Sequence, residues 1–331
     1  MSRGGYGLMH NSRFAMKHAL FLLAAVFAAT AAAQSYPSRP IHLYVPIPPG
    51  GAPDTAARVI AEQLGPRLGE AVVVENKVGS NGRIATDELA HAAPDGYTLG
   101  LIADSQVVIN PHVYKMDLDT LKALTPVATV ASNQFVLAIN PDLPAKTFPE
   151  FIEYARHHQP PLAYASGGNG SQHHLTMEML KARTGIDLLH VPYRGGAPAT
   201  AATVSGETAA MWAGSSNAAQ IKAGRLRALA VSGARRSAAY PDLPTISEFY
   251  PGFENSIWLG IFAPAGVPED VLERLRREIH AVLESPQTKE RFNRAGGLEP
   301  FVTTPAEFSA MIRRDYDKYG AVVQKLGIKI Q

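Results

Sequence analysis

The chain has no cysteine in its 331 residues. That excludes disulfides, thiol nucleophiles and cysteine-built metal sites. Apart from Ala19–Ala33, no apolar run approaches the roughly 18 residues that a membrane-spanning helix needs. Neither G-x-S-x-G nor G-x-x-x-x-G-K-[ST] occurs, so neither a nucleophile elbow nor a P-loop is indicated. Gly168-Asn169-Gly170 lacks the third glycine of a dinucleotide fingerprint. A basic field is also missing. The formal charge of +2 owes much to Arg3, Arg13 and Lys17; without them Lys+Arg falls from 31 to 28 against 29 acids. Nothing in that balance points to nucleic acid or an anionic membrane surface.

Those three cations belong to a leader. Met1–Lys17 carries no acid, Ala19–Ala33 is almost wholly apolar, and Ala31-Ala32-Ala33 is an A-x-A cleavage pattern before Gln34. Residues 1–33 therefore read as a secretory signal peptide cut after Ala33, with an uncleaved anchor as the alternative. The exported remainder, nearly 300 residues, is long enough to bury a core without disulfides, and its length suggests two domains.

Strand and helix signals alternate along that remainder. Ile41–Val45, Ala71–Glu75 and Thr98–Ala103 read as strands; Thr55–Leu68 and Ile84–Ala92 read as helices. Such repetition predicts a parallel sheet covered by helices, with ligands bound beyond the carboxyl ends of strands. Pro126–Val130 and Phe135–Asn140 read as strands, the second entering a new unit. There the logic repeats: strands at Leu162–Ala165, Leu188–Val191, Glu207–Trp212 and Arg227–Ser232, and helices at Phe148–His157 (N-cap Thr147), Gln172–Thr184, Ala199–Ser205 and Ala218–Ala223. A further apolar run, Ser256–Ala263, precedes three helices over Pro268–Leu283, Pro286–Ala295 and Pro305–Leu326.

Small residues close strand after strand: Gly50-Gly51, Gly79–Gly82, Ser105-Gln106, Ser166–Ser171, Arg194–Ala197 and Ser215–Asn217. A glycine loop alone is an ordinary turn. Six of them at strand ends, in two similar units, supply hydrogen-bond donors that suit a small anionic or zwitterionic ligand in a closing cleft. Pro48–Arg58 is the plainest case, with Gly50 and Gly51 free to approach a ligand and Pro53 and Asp54 in a first helical turn. His157-His158 and His173-His174 resemble metal ligands, but adjacent helical residues point about 100° apart and neither pair has a helical histidine at i+4. No metal or cofactor is expected.

Several segments, taken in order, resemble one family: Tyr36–Ile41, Pro48–Gly51 with Asp54 and Ala57-Arg58, Val74–Lys77, Ala92–Leu99 and Ile109–Pro111. They continue with Tyr164–Ser171, His190–Gly195, Ala223–Ala230, Pro241–Thr245 and Ala263–Gly266. The chain resembles the Bug family, the TctC-like extracytoplasmic solute-binding proteins of tripartite tricarboxylate transporters. The resemblance implies an α/β, type II periplasmic-binding-protein fold of two doubly wound domains with a ligand cleft between them. Its domains would be 34–131 with 256–331, and 132–255. It implies a periplasmic, monomeric, non-enzymatic receptor that captures a di- or tricarboxylate, amino acid or aromatic acid and delivers it to membrane subunits.

The ligand-binding residues so implied are Gly50, Gly51, Ala52, Asp54, Ser80, Asn81, Ser105, Gln106, Ser166, Asn169, Gly170, Ser171, Arg194, Gly195, Ala197 and Ser215. Three loops depart from the family pattern. Gly79–Ala85 stands for a G-A-G-G-N-x-G loop, Gln106–Val108 for Thr-His-Ala, and Ala213–Ser215 for a segment that often carries an acid. Those loops would set ligand identity, with Arg83 and Arg194 as cations to consider for a second carboxylate. A sensor subunit for a membrane receptor, and a hydrolase or isomerase combining Asp54, Ser171 and His174, are the alternatives.

Overall fold

The computed structural model describes residues 36–237, 239–294 and 298–327, without the side chains of Ala52, Ser215 and Leu326. The expected leader, residues 1–33, lies outside the described residues. The chain begins β1 (Ile41–Val45), α1 (Ala52–Leu68), β2 (Val72–Asn76), α2 (Arg83–Ala90), β3 (Thr98–Ala103), α3 (Asn110–Val113), α4 (Thr120–Ala123) and β4 (Leu124–Gln134). Next come β5 (Val136–Ile139), α5 (Phe148–His157), β6 (Leu162–Ser166), α6 (Gln172–Thr184), β7 (Leu188–Pro192), α7 (Gly196–Val204), β8 (Ala210–Ala213), α8 (Ala218–Lys222) and β9 (Arg227–Val231). It closes with β10 (Ser256–Pro264), α9 (Glu269–Glu284), α10 (Pro286–Arg294), β11 (Glu299–Pro300) and α11 (Pro305–Leu326).

Two sheets result, ordered β11-β4-β10-β3-β1-β2 and β7-β6-β8-β5-β9. In β1 the alternation is plain: Ile41, Leu43 and Val45 are buried, while His42 and Tyr44 are half-buried. Burying Ile41, Leu43 and Val45 contributes on the order of 2 kcal/mol each. β1 pairs in parallel with β2 and β3, and β6 with β7 and β8. The sheets are nevertheless mixed. β10 runs antiparallel to both β3 and β4, and β5 antiparallel to both β8 and β9. The side-chain period is two in either direction, so alternation in the sequence carries no sense of direction.

The crossing points explain the mixture. β4 ends at Gln134 in the six-stranded sheet and β5 starts at Val136 in the five-stranded one, with Phe135 alone between them. The chain returns between β9 and β10. Ser232 joins the two crossings: its N–H donates to the Phe135 carbonyl at 2.9 Å, and its hydroxyl accepts from the Phe135 N–H at 2.9 Å. The same hydroxyl donates to the Asn255 carbonyl at 2.5 Å, and the Ser232 carbonyl accepts from the Asn255 N–H at 2.8 Å.

Helix starts follow local chemistry. Thr147 caps α5 by accepting from the Glu150 N–H at 3.3 Å, and Thr304 with Glu307 forms a capping box at α11. Two helices begin earlier than their apolar spacing suggests. α1 takes in Ala52, Pro53 and Asp54, and α7 starts at Gly196 rather than Ala199. After β3 the chain forms a π-helical turn, Ser105–Ile109, where a loop at Asp104–Gln106 is expected. β8 is shorter than expected, Ala210–Ala213, because the turn before it pairs the Thr208 N–H with the Ala202 carbonyl.

Candidate ligand-binding site

All six small-residue loops follow strands at their carboxyl ends. A hollow of about 170 Å³ opens among four of them. Pro53 of α1 faces it from the six-stranded side. From the other side come Ser166, Gly167, Gly196, Ala199, Gly214, Ser216 and Asn217, and the crossing strands add Asn133, Phe135 and Ile257. Ala165, His173, Met211 and Trp212 complete the walls. Wider grooves of about 420 Å³ beside Arg276 and His280, and about 620 Å³ beside Glu150 and His157, contain no residue of the six loops.

Two helices begin at this hollow. α1 starts after Gly51 and α7 after Gly195, and a glycine N-cap has no side chain to bond its helix. Their first-turn N–H groups have no acceptor within the helix, and each terminus carries positive partial charge. Both first turns contain a proline, Pro53 and Pro198, where the missing N–H costs nothing. Among the described lining residues there is no Asp, Glu, Lys or Arg. A carboxylate in the hollow meets no acid among the described lining residues, and the acid nearest the α1 start, Asp54, is engaged by Arg58 and the Gly50 N–H.

The surrounding polar groups hold these loops in shape. Asp54 is 3 % exposed and accepts from the Gly50 N–H at 2.9 Å, from Arg58 at 3.0 Å and from Asn76 at 2.9 Å. Burial pushes its carboxyl up, but Arg58, the Gly50 N–H and Asn76 outweigh that and hold it below the usual range. It clamps the loop; Gly50, at φ +91°, makes the turn that glycine permits. Gly51 passes its carbonyl to the Thr55 N–H at 2.9 Å.

Ser80 and Asn81 sit in the left-handed region at φ 47° and 53°. Asn81 exchanges hydrogen bonds with Asn110, at 2.8 and 3.0 Å, and its carbonyl accepts from Gln106 at 3.2 Å. Gln106 also accepts from the Ala103 N–H at 3.0 Å, and the Ser105 N–H donates to Asp104 at 2.7 Å. Asn81 and Gln106 thus join the second loop to the third, and none of Ser80, Asn81, Ser105 and Gln106 lines the hollow.

In the fourth loop, Ser166 lines the hollow, and its hydroxyl contacts the Gly168 carbonyl and N–H at 3.1 Å each. Ser171 caps α6 through the His174 N–H at 3.3 Å, and the Gly170 N–H donates to His174 at 3.1 Å. The Asn169 carbonyl accepts from the Tyr114 hydroxyl at 3.5 Å. Arg194 and Ala197 are exposed, and Gly195 donates to the Gly167 carbonyl at 3.2 Å. Of the sixteen expected residues, Ser166 lines the hollow directly; Pro53, Gly196 and Ser216 are chain neighbours of others. The side chains of Ala52 and Ser215 lie outside the described ones.

The cations considered for a second carboxylate are elsewhere. Arg83 lies 5.1 Å from the Tyr114 ring centre and donates to the Lys115 carbonyl at 3.2 Å, and neither Arg83 nor Arg194 lines the hollow. The residues combined for hydrolysis are also separated in role, since Asp54 holds Arg58 while Ser171 and His174 bond each other at a helix start. A different serine–histidine contact exists, Ser166 to His190 at 2.6 Å. Burial, with His174 stacked at 3.9 Å, pushes the His190 imidazole down to about 4, which makes it a weak general base. Among the described residues no carboxylate bonds His190, and no group of three acidic, histidine or cysteine residues could hold a metal.

The walls were not legible as a site. Phe135, Met211, Trp212 and Ile257 read in sequence as strand interior, and only the meeting of strand ends turns them into a wall. His173, weighed as a metal ligand, instead lies 4.6 Å from the Phe135 ring, and burial pushes its imidazole down to about 4, leaving it neutral.

Known proteins resemble this chain in sequence and fold. The family model for the tripartite tricarboxylate transporter family receptor, TctC, matches residues 56–328. Protein BugT of Bordetella pertussis is 35% identical over 331 residues, spanning 98% of this chain and 100% of the relative. The solved periplasmic binding protein BugD is 33% identical with a TM-score of 0.79, covering 89% of this chain and 100% of BugD. R. palustris Rpa4515, solved with adipate, is 30% identical with a TM-score of 0.83, covering 89% of this chain and 100% of its own. The α/β architecture, two mixed sheets flanked by helices, is that of the periplasmic binding proteins, and the chain belongs to the TctC family of tripartite tricarboxylate transporter receptors.

Proposed function

We propose that the protein is an exported receptor that captures one small carboxylate in the hollow between its two sheets. The carrying observation is the pair of helix N-termini, α1 from one sheet and α7 from the other, that open on one hollow with no acidic lining. The adipate bound by Rpa4515 supports the ligand class. In this reading residues 34–131 with 256–331 form one jaw and 132–255 the other, hinged at the joined crossings. The Gly51–Asp54 backbone and the start of α7 hold the carboxylate, directly or through water. Closure around the ligand gives the membrane subunits of a tripartite transporter a shape to recognise. Export rests on residues 1–33, and no described helix is long and apolar enough to cross a membrane.

The protein acts here as a monomeric binder and not as an enzyme. Isothermal titration of protein cleared of co-purified ligand, against a panel of mono-, di- and tricarboxylates, tests the reading. A ligand present at 100 times its Kd should also stabilise the fold by about 2.7 kcal/mol. Failure of every carboxylate to bind folded protein overturns it. Turnover of a bound acid, lost in Ser166→Ala, would replace it with an enzymatic reading.

A further inference from the structure

The hollow that would take the carboxylate has a second half, and its chemistry is different. Its walls are Phe135, His173, Ala199, Met211, Trp212 and Ile257. Phe135, Ala199, Met211 and Trp212 are all buried. The Phe135 and His173 rings lie 4.6 Å apart and tilted by 48°, and Phe135 and Trp212 lie 6.2 Å apart at 45°. Aromatic edges and faces at these separations favour another ring placed among them. The whole hollow, about 170 Å³, is on the scale of one single-ring molecule, since a cavity of roughly 150 Å³ takes up benzene.

A second carboxylate has no partner here. Among the described lining residues there is no lysine or arginine, and the titratable one, His173, is kept neutral by burial. Arg83 is engaged with Tyr114 and the Lys115 carbonyl, and Arg194 is exposed outside the lining. An anion forced against these walls would be desolvated without compensation. A very short acid would leave the walls without contacts.

We infer that the ligand is a monocarboxylic acid with a ring-sized apolar remainder, of the benzoate class, and that Phe135, His173 and Trp212 select the ring. This rests on the carboxylate reading above and narrows it. The carboxylate lies at the α1 and α7 termini, and the ring lies against the wall of Phe135, His173 and Trp212.

Calorimetry on exhaustively dialysed full-length protein with benzoate, benzamide, acetate, succinate and adipate tests it. Benzoate is expected to bind at least about tenfold more tightly than acetate, succinate or adipate, and benzamide at least about a hundredfold more weakly than benzoate. Succinate or adipate binding as well as benzoate overturns the inference and leaves the carboxylate reading standing. Benzamide binding as well as benzoate overturns the carboxylate reading itself. Silence across the panel, with folding verified by circular dichroism, overturns both. Ser216 is exposed and lines the hollow, so Ser216→Arg places a cation at the mouth without disturbing the core. The adipate-to-benzoate affinity ratio should rise at least about tenfold in that variant; an unchanged ratio places the ligand elsewhere and overturns the inference.

Discussion

Two regions join the sheets, and they are built on opposite principles. One is a polar strut. Gln172, at the start of α6, donates to Asp104 at the end of β3 at 2.7 Å and contacts the Tyr319 hydroxyl at 3.3 Å. Tyr319 donates to Asn255 at 2.5 Å, and Asn255 bonds both Thr176 and Ser232. Every member is buried and partnered. The other region is the hollow, where carbon walls meet helix termini whose N–H groups lack acceptors within the helix. Even the Trp212 indole N–H has no partner among the described residues. Phe135 belongs to both, its backbone bonded to Ser232 and its ring in the wall. The network joins the two sheets through satisfied polar groups, whereas the hollow is lined by carbon and by helix starts with no side-chain cap.

The largest test falls on the strut. Burial pushes the Asp104 carboxyl up to about 8, with Asp315 adding to the rise and Ser105, Gln172 and Lys318 opposing it. Its folded pKa lies above the unfolded value, so the folded state holds the extra proton between about pH 4 and 8. The stability contributed by this proton is complete below about pH 4 and is lost as pH climbs through that window, at up to about 1.4 kcal/mol per pH unit. Denaturant titrations at several pH values should show this slope in the ligand-free protein, and Asp104→Asn should flatten it.

The next test falls on the hollow. Gly51 has φ −78°, open to any residue, but a Cβ there would come within 2.4 Å of the end of the Ile47 side chain. Gly51→Val should weaken benzoate binding by about a hundredfold, near 2.7 kcal/mol, by displacing the first turn of α1. Ile47 can rotate away, so the melting temperature should change little. Returning to the strut, Tyr319→Phe leaves the Asn255 side-chain oxygen buried without its donor. It should cost about 1–3 kcal/mol in denaturant titration, while benzoate affinity stays within about threefold. The smallest effect belongs to residues outside both regions. Arg83→Ala and Arg194→Ala should leave benzoate affinity within about twofold by calorimetry, since neither reaches the hollow.

The strut and the hollow were unequally legible in sequence. Loops at strand ends could be read, because Gly50 and the Gly79–Gly82 turn punctuate alternating runs. The Asp54–Arg58 spacing of four was visible too, yet not that it would clamp Asp54 instead of leaving it to a ligand. Asp104, Gln172, Asn255 and Tyr319 are far apart in the chain, and nothing local announces that four polar side chains will meet in a buried line. The walls were hidden for the converse reason. Trp212 and Phe135 obey the pattern of any core strand, and a wall differs from a core only in what stands opposite it.

Crystallography of the protein with 4-bromobenzoate reads out which end of the acid meets the helix starts. The carboxylate should lie within hydrogen-bond distance of the first turns of α1 and α7, with the bromine anomalous peak at the Phe135–Trp212 end of the hollow. A carboxylate turned toward those aromatic walls, or a bromine peak outside the hollow, would contradict it.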